Sequence, residues 1–567
     1  VHDLVIHSGT VVDGTGGPSR RADVAIAGER ITAVGTDLGP AARHLDAEGC
    51  LVTPGWVDPH THYDAQVTWD PEVSPSAWHG VTTAVIGNCG VGFAPARPDD
   101  RSGLIGLMEG VEDIPGAVLE AGLRWDWESF GGYLDALDRM PRTLDIAAQL
   151  PHGAVRSYVM GARAVDGPAD AGDIARMAAV VREGLRAGAV GFTTSRTPVH
   201  RSADGSPVPG TTASAEELLG IGAALRDAGV GVVGVATDFA DEDAEFAWMA
   251  RLSRDTGRPV TFAVVQGNDD TEGWRRQLAA ATAARVEGAQ LVPQVAGRPT
   301  GLLMGLESTV HPFFRNRAYA EVADLPLDRR VERMRDPEVR RRILDEPPPP
   351  RGYANLYATA FHRLFPLGDP PDYEPGPERS VAALAARRGE DANAVAYDLL
   401  LGNAGHDLLY FPLLGYADGD CEAIRVMLED PSALLGLGDG GAHCGFVCDA
   451  SQPTFMLTHW ARDRVRGPRL PVEQVVRMLT RDPARLFGFG DRGTISPGLR
   501  ADLNVIDFDH LRLGPPVMVH DLPAAGRRLV QRAAGYRTTM VAGVTTYEDG
   551  VATGARPGRV VRSTRHS

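Results

Sequence analysis

The 567-residue chain contains no lysine; all 57 of its basic side chains are arginine. That absence excludes a lysine Schiff base, a P-loop lysine and a lysine-derived carbamate bridging two metals, because arginine stays protonated and does none of this chemistry. Cysteine is also scarce. The five residues, at positions 50, 89, 421, 444 and 448, are odd in number and irregularly spaced. They argue against a disulfide framework and for free thiols in a reducing cytoplasm. No run of 18 apolar residues occurs, so no membrane span is expected. The first 30 residues carry Asp3, Asp13, Arg20, Arg21, Asp23 and Glu29, a pattern without a signal-peptide core. Positive charge falls short of negative, with 57 arginines against 74 acids and a formal charge of -17. Such a balance repels phosphate backbones and excludes nucleic acid as an expected partner. A small-molecule substrate is expected instead, and a homo-oligomer is compatible with the composition.

The chain is too long for one minimal domain. Residues 1–52 read as short strands with tight turns, among them Leu4-Val-Ile6, Ala25-Ile26 and Ile31 to Val34. The same texture returns at Ala501 to Ile506 and Thr538 to Tyr547. Both ends are therefore expected to build one small β-sandwich, residues 1–52 with 491–567. Between them, apolar strand signals alternate with helix signals. The strands read as Leu51 to Val57, Thr82 to Gly87, Asp145 to Leu150, Val190 to Thr194, Gly231 to Thr237, Pro259 to Val265, Gln290 to Val295 and Leu434 to Leu437. Helices fill the gaps: Ala171 to Leu185, one opened by the capping box Ser214-Ala-Glu-Glu217 and closed by Gly229, then Asp243 to Arg254, Thr271 to Arg285 and Val472 to Leu486. Eight strand–helix units predict a (β/α)8 TIM barrel over 53–490. The seventh and eighth strands are about 135 residues apart, too far for a βα loop. The segment of about 300–430 is read as an insertion over the barrel mouth.

A barrel carries its chemistry at the C-terminal strand ends. There the chain offers Thr53-Pro-Gly-Trp-Val-Asp-Pro-His60-Thr-His62-Tyr-Asp64. Residues two apart on a strand share a face, so His60 and His62 project together as the start of a metal site. The second strand ends Gly87-Asn-Cys89-Gly90, a thiol facing the same mouth, and the eighth ends Gly438-Asp439-Gly-Gly-Ala-His443. Asp439 suits both metal contact and proton transfer. His152 follows the third strand, Arg196 the fourth and Arg298 the seventh. His152 could polarise a carbonyl, and either arginine could clamp a substrate carboxylate with two parallel hydrogen bonds. His443 adjoins Asp439 as a positioning or substrate-binding residue. No serine lies in a nucleophile-elbow context.

These motifs resemble the amidohydrolase superfamily, and within it the D-aminoacylases (N-acyl-D-amino-acid deacylases). Thr480-Arg-Asp-Pro-Ala484, Gly493-Thr-Ile-Ser-Pro-Gly498 and Ala501-Asp-Leu503 strengthen the likeness, which covers nearly the whole chain. The resemblance implies a metal barrel with a β-sandwich from both termini, in which the second-strand cysteine replaces a bridging carboxylated lysine. It also implies histidine ligands at the ends of strands five and six. This chain has Ala236-Thr-Asp238 and Val264-Val-Gln266 there. Asp238 could still ligate; Val264 cannot. The expected ligand set is therefore His60, His62, Cys89 and Asp439, with Asp238 completing it, around one divalent metal per chain. His, Cys and Asp together favour zinc. The expected reaction is hydrolysis of the amide of an N-acyl amino acid, with Asp439 as general base and acid. Two alternatives stand: a single-metal barrel turned to lyase, isomerase or other C–N chemistry, and a non-catalytic binding barrel.

Overall fold

The computed structural model describes residues 2–563; residue 1 and residues 564–567, both inside the expected terminal domain, lie outside it. The stretch Leu51 to Val57, read above as one strand, is cut in two at Gly55. Leu51–Pro54 pairs in parallel with His2–Val11 and antiparallel with Leu503–Ile506, so it belongs to the terminal β-domain. Trp56–Asp58 is the first barrel strand, β1. A Cβ on Gly55 would overlap the side chain of buried Thr82, so glycine alone lets the chain cross between the two sheets here.

The barrel continues with β2 (Val81–Ile86), β3 (Asp145–Pro151), β4 (Gly191–Ser195), β5 (Val232–Ala236), β6 (Val260–Ala263), β7 (Leu291–Ala296) and β8 (Leu434–Gly436). All pair in parallel in chain order. β1 and β8 do not share a ladder. Just past their ends, Thr61 and Gly440 form a parallel bridge. There the His62 N–H donates to the Gly440 carbonyl at 2.7 Å, and the Asp439 N–H to the His60 carbonyl at 3.0 Å. A Cβ on Gly440 would lie 2.6 Å from the Tyr63 hydroxyl, which explains glycine at the seam.

The outer helices follow the sequence pattern with two departures. The span from Val472 to Leu486 is two helices, Val472–Leu479 and Arg481–Leu486, broken at Thr480. At Ala215–Ala228, Ser214 Oγ accepts from the Glu217 N–H as expected. The Glu217 carboxylate, however, does not complete a capping box. It is buried against Arg156 and His152, a charge pairing that outweighs a surface cap.

The terminal β-domain is one nine-stranded sheet joining both chain ends, cored by side chains such as Ile6, Val24, Ile26, Val52, Leu503 and Met540. Residues 512–534 leave that sheet. The hairpin Val517–Leu522 with Gly526–Val530 reaches the barrel mouth, where the Leu529 N–H donates to the Cys444 carbonyl at 2.7 Å. The insertion has its own three-stranded sheet (Thr300–Met304, Leu409–Leu414, Phe365–Pro366) and its own apolar core, including Phe313, Ile343, Tyr397 and Phe411. It docks on the loop after β8: Leu303 N–H donates to the Phe446 carbonyl at 2.7 Å and Thr309 N–H to the Gly445 carbonyl at 3.0 Å. The insertion therefore sits beside the mouth. Among the described residues no helix is long and apolar enough to cross a membrane.

Gly55→Ala should lower stability by about 1–3 kcal/mol through overpacking, and Thr82→Gly in the same chain should remove that overlap, since even the Thr82 Cβ lies 2.8 Å from the added carbon. Chemical denaturation of the two variants checks this; a wild-type midpoint for Gly55→Ala would remove the crossing constraint.

Candidate metal centre

β1 ends two residues before His60, so the two histidines lie beyond the strand, held extended by the seam bridge at Thr61. Their rings meet edge to face, 5.4 Å between centroids. His60 Nδ1 lies 3.1 Å from Gln294 Oε1 on β7 and donates to it. That leaves Nε2 with its lone pair towards Cys89 Sγ at 3.4 Å and Asp439 Oδ1 at 3.4 Å. His62 Nδ1 faces Glu112 Oε1 at 3.2 Å, and its Nε2 faces Asp439 Oδ1 at 3.7 Å. One donor atom each from His60, His62 and Cys89 lies within 4.8 Å of the others.

Several parts of the chain are shaped to present these atoms. Cys89 has a left-handed backbone (φ 54°), flanked by Gly87 and Gly90 in the same region. The Asn88 amide ties this turn down by donating to the carbonyls of Thr61 and Val85. Asp439 and His443 are also left-handed, at φ 45° and 51°. Strained non-glycine backbone of this kind collects at functional sites. Two aspartates frame the His-x-His. Asp58 accepts the His60 N–H at 3.1 Å, and Asp64 accepts the Gly87 N–H at 3.1 Å, coupling the first motif to the second. Burial pushes both carboxyls up to about 7.

The field at the common point favours a positive charge. Burial disfavours the Asp439 carboxylate, but His62 and His60 outweigh it and hold the group well below the usual range. Burial likewise opposes the Cys89 thiolate, and the two imidazoles reverse the sign, lowering its pKa. Burial opposes the His60 cation, but Cys89 and Asp439 raise it to about 9. Two imidazole nitrogens, a thiol inclined to ionise and an ionised carboxylate form a donor set that fits zinc.

Other expectations fare differently. Asp238, expected to complete the set, lies in the turn after β5, where Oδ1 accepts the Ala240 N–H at 3.3 Å. It is not among the converging donors, because its carboxylate caps its own turn. Arg196 and Arg298 do not offer free clamps. Arg196 forms a bidentate pair with Glu245 at 2.6–3.0 Å. Arg298 is buried on Asp449 at 2.6 and 2.9 Å, on Ser451 and on the Cys448 carbonyl, and lies 4.1 Å over the Tyr373 ring. A buried guanidinium needs such partners, and these use its donors. His152 is buried between Thr194 Oγ1 at 2.9 Å and Glu217 Oε1 at 3.1 Å, which makes it structural rather than a carbonyl contact. His443 does reach the mouth, half-buried with Nε2 3.8 Å from Glu112 Oε2.

The sequence reading missed Glu112, Gln294 and His200. Glu112 ends helix α1 (Arg101–Glu112) and is 2% exposed. Its neighbour Asp113 accepts from the Gly445 N–H and the Thr309 hydroxyl, pinning the helix end to the loop after β8. Nothing in Gly110-Val-Glu-Asp113 signals this role. Gln294 stands at the C-terminal end of β7, a position that marks it once the barrel is known. His200, in the loop after β4, holds Ser195 Oγ at 2.9 Å through Nδ1. Burial lowers its pKa to about 4, with Glu112, His443, His62 and Asp439 as charged neighbours.

A carboxylate behind a ligating histidine fixes its ring and raises its basicity. Glu112→Gln should therefore weaken zinc binding at the mouth about 10–100-fold, read by competition with a chromogenic chelator. Unchanged affinity would remove Glu112 from the site.

Comparison with known proteins gives the family of the chain. The chain is 28% identical to the D-aminoacylase of Alcaligenes xylosoxydans xylosoxydans over 99% of its own length and 98% of that protein. It is 28% identical to the N-acyl-D-glutamate deacylase of the same organism over 89% and 88%. It shares the fold of a solved D-aminoacylase described as having a binuclear metal centre, with TM-score 0.66, 24% identity and coverage of 99% and 100%. The amidohydrolase family pattern matches residues 43–547, and the chain belongs to that family as a D-aminoacylase-like member.

Proposed function

We propose that this chain is a metal-dependent amidohydrolase that removes the acyl group from an N-acyl amino acid of D configuration. The observation that carries the reading is the convergence of His60, His62, Cys89 and Asp439 at the barrel seam, in a chain alignable end to end with a D-aminoacylase. One zinc ion at the mouth would be held by His60 Nε2, His62 Nε2, Cys89 Sγ and Asp439. When bound, it lowers the pKa of water towards about 7 and polarises a carbonyl.

The protein's own groups do the rest. Asp439, at 3.4 Å from His60 Nε2 and 3.7 Å from His62 Nε2, accepts a proton from the attacking water. As the C–N bond breaks, it returns that proton to the leaving nitrogen, giving a carboxylate and an amine. Gln294 holds the His60 ring by a hydrogen bond at Nδ1, and the Glu112 carboxylate lies 3.2 Å behind His62 Nδ1. With Arg196 and Arg298 committed elsewhere, His443, half-buried at the mouth, is the side chain proposed to face the substrate. The five cysteines are free, in keeping with a reducing cytoplasm.

His60→Ala and His62→Ala should each remove the mouth metal, and Cys89→Ser should weaken it. Asp439→Asn should keep most of the metal while turnover falls about 10²-fold or more, the scale of a lost general base. Metal analysis and a panel of N-acyl-D- and N-acyl-L-amino acids test this. Turnover of the D series supports the reading. Metal without turnover favours a changed C–N reaction, and no metal at the mouth favours a non-catalytic barrel. Full activity in Asp439→Asn would remove the proposed base.

A further inference from the structure

Away from the mouth, one other set of ligand-type side chains converges among the described residues. Glu374 comes from the insertion, Cys421 from the head of the helix Glu422–Glu429 that ends it, and His459 from the segment after β8. Carboxylate, thiol and imidazole each place a donor atom within 4.8 Å of the other two. Glu374 and Cys421 are 4% and 0% exposed, whereas the His459 side chain keeps 17%.

The hydrogen bonds of Glu374 leave one vacancy. Oε1 accepts from Arg464 Nη2 at 3.0 Å and from the Cys421 N–H at 2.8 Å. Oε2 accepts from Arg464 Nε at 3.1 Å. Two carboxylate oxygens offer about four lone-pair sites, so one remains on Oε2. His459 Nε2 lies 3.0 Å from that oxygen, yet this buried nitrogen makes no hydrogen bond. The distance suits a bond and the direction does not. Imidazole, carboxylate and thiol thus lie close together, all three donor atoms within 4.8 Å of one another.

The His459 ring is held in place. Met456–Asp463 winds as a π-helix, a form that recurs at functional sites. The ring stacks on Phe455 at 4.5 Å and meets Trp460 at 5.2 Å. The Arg464 guanidinium opposes a cation here. Against it stand Glu374, Glu422 at 3.4 Å from Arg464, and the thiolate that cation binding would create.

We propose that Glu374, Cys421 and His459 bind a second, zinc-type cation, with water as the fourth ligand, that clips the insertion to the barrel. The site is three-quarters protein-built, with sulfur, nitrogen and oxygen donors of the kinds zinc takes. Burial and Glu374 keep the Cys421 thiol protonated, so uptake of the ion releases that proton.

The test uses the full-length protein, loaded with zinc and freed of excess, and its cobalt-substituted form. Wild type should carry one zinc equivalent more than Cys421→Ser or His459→Gln, while both variants keep the mouth metal and their turnover. In the Cys89→Ser background, the cobalt protein should retain a thiolate-to-cobalt absorption that adding Cys421→Ser abolishes. If Cys421→Ser does not fold, the partly exposed His459→Gln carries the measurement alone. Zinc content unchanged by either substitution, or a Cys89→Ser protein without thiolate absorption, overturns the proposal.

Discussion

The barrel closes through the residues of its candidate metal centre. β1 and β8 end without pairing, and two backbone hydrogen bonds, from His62 to Gly440 and from Asp439 to His60, complete the cylinder. The bonds that shut the barrel therefore also set the separation of the imidazoles and the carboxylate. A backbone shift at the seam would break closure and the site together. This explains the glycines around Asp439. Close approach of Tyr63 and Asp58 leaves no room for a Cβ at Gly440 or Gly438, and the left-handed Asp439 must be held from both sides.

The seam in turn needs cover, and three chain segments supply it. The end of α1 brings Glu112 to His62 and Asp113 to the loop after β8. The insertion docks on the same loop through Leu303 and Thr309. The C-terminal hairpin adds Leu529 to Cys444. Residues 443–447 are thus the point where helix, insertion and terminal domain meet. Each contact is a backbone hydrogen bond or a short side-chain bridge, sparing of entropy and strict in geometry.

Legibility in the sequence followed the range of the interactions. The barrel strands were readable because apolar runs of four to seven residues recur between capped helices, and Ser214 and Gly229 mark their helix in both sequence and structure. The His-x-His and the two glycine-flanked motifs were readable because their spacing is local. Arg196, Arg298 and His152 misled for the opposite reason. Each sits at a strand's C-terminal end, where a ligand-binding residue is expected, but its partner lies 49, 151 or 65 residues away. Glu112 was invisible because helix α1 carries no unusual pattern at that end. Burial beside His62 distinguishes it, and burial is tertiary. The break at Gly55 was missed because two short strands in register with one apolar pattern look like one.

The same reasoning accounts for the missing histidines. Just past β6 the expected position of one is held by Val264, fully buried. Gln266 next to it donates to Asp418 at 2.6 Å and accepts from the Ala417 N–H at 3.0 Å. Gly415 also donates to the Gln266 carbonyl at 2.9 Å. The end of β6 anchors the exit of the insertion and has no side chain left for a metal. After β5, Asp238 caps a turn. The converging donors come from the ends of β1, β2 and β8, with Gln294 of β7 behind them. A site gathered on the seam has fewer positions from which to hold two cations. It also has a higher density of negative charge around one, because Cys89, Asp439 and Glu112 all face the same pair of rings. In a chain without lysine, no bridging carbamate can spread that charge across the barrel. The seam geometry thus gathers these negative groups around the two imidazoles, beside Asp439.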